Sequence, residues 1–454
     1  MSVKSQRGTR TWYQTFGCKA NQYDTERMRQ ELEARGGLAA SVPAEADLAV
    51  VNTCTVTSEA DRDARRAIRR LAREHPGLRI VVAGCSAALR EAEYQAMPEV
   101  WRVVPGQDPE AVGEAARPLL PLGRPPRGGQ LVSLRGNGRT HLTRFRRGTR
   151  AWIKIQDGCD RRCSFCATRL ARGASRSRPP EEIVREATLL ACEHPEIVIT
   201  GIHIGQYGSD LDRPWTLAGL CAQLLDGVEA VRIRLSSIEA TEIDDSLVDL
   251  MADSGGRLVP HFHVPLQSGS DAVLGRMRRW HTREQYRARL ARIVSRLPYL
   301  GLGADIITGF PGETDVDHAE TRALVEELPY TYLHVFPFSP RSGTPAATLP
   351  GRVDGSLRAV RARELRELGL AKGRSYRASR LGMAARVVVE TTAANGKPVA
   401  RPTGLTEDYL RVEVVTDGSA GRIQPGAVLD GHLEGDADRL RLRVATGRET
   451  PHRR

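Results

Sequence analysis

Cysteine is scarce, with 8 among 454 residues at irregular intervals. That excludes the disulfide framework of a small secreted scaffold. The opening stretch from Met1 to Arg10 is charged and lacks an apolar h-region, so no signal peptide is expected. No apolar run approaches the roughly 20 residues that cross a bilayer, which leaves no membrane partner to expect. A cytoplasmic protein follows, in a compartment where thiols stay reduced and available as ligands. Two common catalytic layouts are also missing. The turn Gly309-Phe310-Pro311-Gly312-Glu313 has no Lys-Ser/Thr pair of a phosphate-binding loop, and no Ser/His/Asp triad competes.

Basic residues are plentiful. Lys plus Arg number 67 against 55 Asp plus Glu, a net charge of +12. Such a chain often meets phosphate, and nucleic acid is the first candidate. At 454 residues it exceeds one typical core and should form two or three domains.

Three of the eight thiols fall within Cys159-Asp160-Arg161-Arg162-Cys163-Ser164-Phe165-Cys166, directly after the alternating segment Trp152 to Ile155. This spacing predicts a strand running into a tight metal-binding loop. Zinc sites close with four ligands, commonly in CxxC pairs, whereas no fourth Cys or His follows within about twenty residues. Iron–sulfur clusters take one cysteine per iron. Three cysteines around a [4Fe–4S] cube would leave one iron open to a small molecule. A structural zinc loop is the competing reading.

Ahead of this loop the pattern is βαβαβ: strands at 11–16, 47–51 and 79–83, with helices from Asp24 to the Gly36-Gly37 stop and from Ser58 to His75. A cysteine follows each strand, and the separations, 54 − 18 = 36 and 85 − 54 = 31 residues, each equal about one βα unit. Right-handed crossovers make the strands parallel. Their C-terminal ends then share one sheet edge, where such folds bind ligands, and Cys18, Cys54 and Cys85 can converge there. A short strand and a helix near Pro109 to Ala116 follow, then a Pro/Gly/Arg-rich connection from Pro118 to Gly138. The cluster Arg144, Arg146, Arg147 and Arg150 fits either a phosphate grip or a solvated linker.

From Trp152 onward, strand and helix alternate six times, with strands at 152–156, 196–201, 231–236, 258–264, 302–308 and 331–337. Six βα units predict an incomplete parallel barrel, whose chemistry belongs at the C-terminal strand ends. Cys192 and Cys221 lie in helical patterns and read as core. His261 and His263 alternate along a strand without a third ligand, so polar packing is expected rather than metal binding. The basic helix from Gly355 to Arg380 presents either a tRNA contact or a solvated face. Residues 383–446, with short strands between Gly, Pro and Asp turns, predict a small antiparallel barrel, a form that often holds single-stranded nucleic acid.

Taken together, the pieces resemble the methylthiotransferases of the radical S-adenosylmethionine (SAM) superfamily, over roughly residues 11–447. The resemblance implies an α/β multidomain fold: an N-terminal Rossmann-like βαβ cluster domain at 11–135, a central incomplete (β/α)6 radical SAM barrel at 145–380 and a C-terminal TRAM β-barrel at 382–447. It implies that Cys159, Cys163 and Cys166 hold the radical SAM cluster and that Cys18, Cys54 and Cys85 hold a second [4Fe–4S] cluster. By the same analogy Phe165 packs near the SAM adenine, and Arg234, Gln267, Ser268 and Gly309 contact SAM. Within the family, Gly17 to Asp24 (GCKANQYD) and Asn52 to Thr57 (NTCTVT) look like the branch that modifies threonylcarbamoyladenosine at tRNA position 37, beside the anticodon. Further matches are His263 to Ser270 (HVPLQSGS), Asp305 to Thr314 (DIITGFPGET) and His334 to Pro345 (HVFPFSPRSGTP). Ser86 and Arg169 depart from the family pattern, where an aromatic residue and a proline are usual.

The implied reaction uses two SAM molecules. One yields the radical that takes hydrogen from carbon 2 of the adenine, and the other methylates a sulfur on the N-terminal cluster. Implied partners are the tRNA anticodon stem-loop, an electron donor such as a flavodoxin or ferredoxin, and a sulfur source. Alternative substrates are isopentenyladenosine in tRNA or a ribosomal protein side chain. An alternative of another class is a non-catalytic, metal-stabilised RNA-binding protein.

Overall fold

The computed structural model describes residues 8–121, 141–146, 148–229, 231–394, 397–415 and 423–450. Most of the expected connection Pro118 to Gly138, and Arg147, lie outside the described residues. The chain forms two compact units. One comprises 1–142, 157–176 and 339–347; the other comprises 143–156, 177–338 and 348–454.

In the first unit, β1 (Arg10–Thr15), β2 (Leu38–Ala39), β3 (Leu48–Thr53), β4 (Arg79–Gly84) and β5 (Arg102–Val103) make an all-parallel sheet in the order 2-1-3-4-5. Alternation along the strands fills both faces, as parallel sheets require. Val50 and Val81 pack with Met28, Leu32 and Val112 on one side. Val51 and Val82 pack with Ile68, Leu71 and Tyr94 on the other. The first helix, Lys19–Ala34, starts five residues before the position read from the sequence. Its first turns look loop-like because Asn21 and Asp24 are polar, yet both are buried.

In the second unit, β6 (Arg150–Asp157) enters the cysteine loop, and β7 (Arg176–Ser177) follows it. Parallel pairing then links β6 to β8 (Glu196–Gly201) and β8 to β9 (Arg232–Leu235). It also links β10 (His261–His263) to β11 (Gly301–Thr308) and β11 to β12 (Tyr332–Pro337). Isolated parallel bridges, Ile233 with Leu258 and Ser237 with His263, carry the curvature from β9 to β10. These six strands, β6 and β8 to β12, are therefore the open barrel expected, with β9 and β10 shorter than the 231–236 and 258–264 read from the sequence. Cys221 is core as read, but Cys192 is exposed. It sits at the C-cap of helix Pro180–Ala191, where its thiol donates to the Thr188 carbonyl at 3.5 Å.

The last strands, β13 (Ala384–Ala394), β14 (Lys397–Thr406), β15 (Arg411–Val415), β16 (Val428–Gly435) and β17 (Leu440–Thr450), close a barrel in the order 13-14-15-17-16. Its pairs are antiparallel except β15 with β17. Val387, Val412, Leu433 and Leu442 fill it. Among the described residues no helix is long and apolar enough to cross a membrane.

Candidate active site

Both thiol triads belong to the first unit. Strand register explains the N-terminal one: Thr15 pairs with Asn52, and Thr53 with Gly84, so the C-terminal ends of β1, β3 and β4 are level. Cys18, Cys54 and Cys85 leave those ends. Gly17, at φ +95°, lets the first loop pass the second, since an added Cβ would lie 2.6 Å from the Cys54 sulfur. Gly84, at φ +98°, has no room for a Cβ against Asn52 and Thr53.

The residues around the cysteines tie the loops to one another. Asn21 Nδ2 donates to the Phe16 and Thr53 carbonyls at 2.9 Å each. Asn52 Nδ2 donates to the Asn21 carbonyl at 2.8 Å and the Thr25 hydroxyl at 3.0 Å. Thr53 bonds the Ala83 carbonyl, and Thr57 caps helix Ser58–Glu74 by accepting from the Ala60 N–H. The Thr55 hydroxyl accepts from Arg341, whose guanidinium also pairs with the buried Asp61. Asn21, Asn52, Thr53, Thr55 and Thr57 of the two sequence motifs thus tie down the thiol-bearing loops.

The second triad sits on the loop after β6. Cys159 N–H donates to the Gly173 carbonyl at 3.1 Å, and Ser164 accepts from the Ala346 N–H at 2.8 Å. Cys159, Cys163, Cys166 and Phe165 are all partly exposed, so a ligand can reach them. Arg172, from the short helix Thr168–Arg172 that closes this loop, connects the two sets. Its buried guanidinium donates to Asn21 Oδ1 at 2.5 Å, Asp24 at 2.8 Å, Asp157 at 2.8 Å and the Cys85 sulfur at 3.2 Å. Burial opposes its charge, but its acidic partners, Asp24 and then Asp157, outweigh that and hold the guanidinium firmly protonated. Nothing in the sequence pattern marks Arg172 among so many arginines.

The donor set suits an iron–sulfur cluster. Burial pushes the Cys54 thiol up to about 12 and raises Cys85, so the bare site favours neutral thiols until a metal supplies charge. N–H groups are already aimed at the sulfurs: Val56 N–H at Cys54 (3.4 Å), Thr168 N–H at Cys166 (3.4 Å), and Gln107 and Arg172 at Cys85 (3.3 and 3.2 Å). Such hydrogen bonds stabilise the anionic sulfurs of a cluster.

The residues read as SAM contacts separate. Gln267 is partly exposed and takes a left-handed φ of +66°, held by its N–H to the Asp305 carbonyl and its carbonyl to the Ile307 N–H. A bulky residue kept in that region marks a position its surroundings impose. Gly309, at φ +67°, directs its N–H to Glu313 at 2.8 Å and abuts the Arg358 side chain. Arg234 and Ser268 are both bonded within the protein. The Arg234 guanidinium is fully buried, with Nε on Glu196 at 2.8 Å and its other nitrogens on Glu196 and on the Glu407 and Thr406 carbonyls. The Ser268 hydroxyl is buried between Thr321 (3.2 Å) and the Ser270 N–H (3.2 Å). The basic residues offered as phosphate or tRNA contacts are also largely spent on the protein. Arg150 pairs with Glu390 at 2.8 Å, Arg361 with Glu313 at 2.7 Å and Arg380 with Asp408 at 2.7 Å.

Comparisons with known proteins agree with this geometry. Residues 10–106 match the uncharacterized protein family UPF0004, and residues 153–325 match the radical SAM superfamily. The chain is 37% identical to the threonylcarbamoyladenosine tRNA methylthiotransferase MtaB of Bacillus subtilis, over 88% of this chain and 89% of that one. It is 37% identical to the protein of that name in Rickettsia prowazekii, over 83% and 86%. It is 31% identical to the tRNA-2-methylthio-N(6)-dimethylallyladenosine synthase of Maricaulis maris, over 85% and 88%. Among solved structures, the radical SAM methyltransferase TsrM of Kitasatospora setae superposes with a TM-score of 0.51 at 18% identity, over 74% of this chain and 75% of that one, a likeness of fold. One matched segment carries Cys18, Cys54 and Cys85 and the other carries Cys159, Cys163 and Cys166, so with these relatives the chain belongs to the MtaB-type methylthiotransferase family of radical SAM enzymes.

Proposed function

We propose that this enzyme methylthiolates carbon 2 of threonylcarbamoyladenosine at position 37 of tRNA, using two [4Fe–4S] clusters. The observation that carries the two-cluster reading is the pair of thiol triads in one compact unit, joined through Arg172. The substrate reading rests on the relatives named for that nucleoside, at 37% identity. In this reading 11–135 is the auxiliary-cluster domain, 145–380 the radical SAM domain and 382–447 an RNA-binding TRAM barrel. An electron donor such as a flavodoxin or ferredoxin, and a sulfur source, complete the set of partners.

Cys159, Cys163 and Cys166 would hold one cluster and leave one coordination position for SAM, with Phe165 beside the adenine; by the family resemblance Gln267 and Gly309 remain candidate SAM contacts. Cys18, Cys54 and Cys85 would hold the other. When bound, these groups supply the radical and the methylated sulfur that an unactivated aromatic C–H bond demands. The protein's own work is positional. Asn21, Asn52 and Thr53 fix the thiol-bearing loops, and Arg172 places positive charge against Cys85.

The deciding measurement is mass spectrometry of tRNA nucleosides from cells lacking the gene, with and without complementation. Loss of 2-methylthio-threonylcarbamoyladenosine, restored by the gene, is the expected outcome. Persistence of that nucleoside with loss of the isopentenyl analogue would move the substrate and keep the chemistry. In purified enzyme, Cys163→Ala should abolish SAM cleavage, while Cys54→Ala should leave cleavage largely intact and stop thiolation. Full methylthiolation by either variant would contradict these roles.

A further inference from the structure

The sequence shows His261 and His263 without further ligands; the fold supplies the missing groups. β10, β11 and β12 lie side by side, with Gly303 opposite His263 and Asp305 opposite His334. On β12 the residues Tyr332, His334 and Phe336 share one face, while Val335 on the other is buried. A continuous hydrogen-bond chain crosses the three strands. His261 Nε2 meets the Tyr332 hydroxyl at 2.8 Å, which meets His263 Nδ1 at 3.1 Å. His263 Nε2 and His334 Nδ1 then meet the same Asp305 oxygen, at 3.1 and 3.2 Å.

The Asp305 end fixes the direction of this chain. Burial alone would raise the Asp305 carboxyl, but the bonds from His263 and His334 outweigh it and hold it below the usual carboxylate range. An ionised carboxylate only accepts, so His263 donates from Nε2 and His334 from Nδ1. His263 Nδ1 then accepts the Tyr332 O–H, and Tyr332 oxygen accepts from His261 Nε2. Exposure rises along the chain: 9% for the His263 side chain, 28% for Asp305 and 55% for His334. Among the described residues nothing takes the remaining nitrogen of His334, Nε2. Beside it, at 6.4 Å between ring centroids, stands the exposed ring of Phe336, nearer the C-terminal end of the strand, where barrel enzymes take their substrates.

We infer that His334 is a specificity-determining residue, which hydrogen-bonds the polar N6 substituent of the target adenosine through Nε2 while Phe336 offers a face to the base. The inference rests on the substrate reading above. A threonylcarbamoyl arm carries urea-type N–H and C=O groups, a hydroxyl and a carboxylate; an isopentenyl arm carries none. A site with an oriented polar group rejects the analogue that leaves this group unpaired. Bases in RNA are commonly held on aromatic faces. His263, Tyr332 and His261 are positioning residues that hold Asp305, and through it the His334 ring. The three groups His263, Asp305 and His334 also converge within 4.8 Å, close enough to share a cation. The hydrogen bonds already account for their arrangement.

The test uses cluster-loaded enzyme and three anticodon stem-loop RNAs, bearing threonylcarbamoyladenosine, isopentenyladenosine or plain adenosine at position 37. SAM cleavage without RNA reports that each variant is folded and loaded. His334→Leu should raise KM for the threonylcarbamoyl RNA by about tenfold or more and lower its kcat/KM by ~10–100-fold. The other two RNAs should bind as before, and His334→Gln should recover part of the loss. Equal effects on all three RNAs, or none, would overturn the inference. If wild-type enzyme does not turn over the threonylcarbamoyl RNA at all, the substrate reading itself fails. One equivalent of zinc taken up by the loaded enzyme and lost in His334→Leu would replace substrate recognition with a metal site.

Discussion

Arg172 shows how much one side chain can organise. It is buried against two carboxylates, an amide and a sulfur, and each partner would keep an unmet demand if it left. Removing one partner of a buried ion pair costs about 3–5 kcal/mol, because the charge left behind stays buried. Arg172→Ala should therefore lower unfolding stability by that amount and reduce the iron and sulfide bound per chain by up to half. Iron and sulfide analysis alongside thermal unfolding checks this. Full cluster content with wild-type stability would show that Arg172 only fills space. The six cysteines proposed as ligands stand out in the chain because the motif Cys159–Cys166 is local and the other three recur at one βα unit apart. Arg172 is not, since its partners Asn21 and Asp24 lie 151 and 148 residues away. The partners of Arg234 are hidden in the same way: its strand-end position is visible in sequence, but Thr406 and Glu407, whose carbonyls it bonds, belong to a distant segment.

At the level of elements, β8 and β9 are joined through charge as well as backbone. Glu196 is fully buried and receives Arg232 at 2.5 Å and Arg234 at 2.8 Å, with Arg150 at 3.5 Å. Burial would raise its carboxyl, but Arg234 and then Arg232 hold it well below the ordinary 4.5. A depressed carboxylate contributes stability that is complete above its unfolded pKa and is lost as pH falls below it. Wild-type protein should thus weaken progressively below about pH 4.5. Glu196→Gln should cost about 3–5 kcal/mol at pH 7 and show a shallower acid decline. Denaturant midpoints at neutral and acid pH measure both, and an unchanged acid slope would remove Glu196 from the account. The long helix Gly355–Ser379 teaches a related lesson. Its arginines read as a basic face, yet Arg361 is drawn inward to Glu313 and Asp315, and Arg380 to Asp408. Composition reports how many cations there are, not which ones already have carboxylates.

For the whole molecule, the question is whether the terminal barrel is a detachable RNA-binding module. Within the second unit it is not built like one. Arg232 donates to the Arg386 and Leu405 carbonyls, at 2.7 and 3.3 Å, and Tyr376 bonds Asp408 at 2.7 Å. Tyr409 stacks on His261 at 4.4 Å, at the buried end of the chain that leads to His334. The turn Thr406–Tyr409 therefore completes the parallel barrel as much as it belongs to the small one. Removing residues 382–454 should strip Tyr376 and Arg380 of Asp408 and leave Arg232 and Arg234 with Glu196 alone. A loss of roughly 3–5 kcal/mol from such buried pairs corresponds to a fall in Tm of about 6–20 °C for a domain of this size. SAM cleavage should then decay with the fold, even though none of the cysteines proposed as cluster ligands is touched. The competing outcome is a truncated enzyme that melts as the full chain does, cleaves SAM fully and has lost only tRNA affinity. That result would make the barrel an appended module and would detach Tyr409 from the positioning of His261.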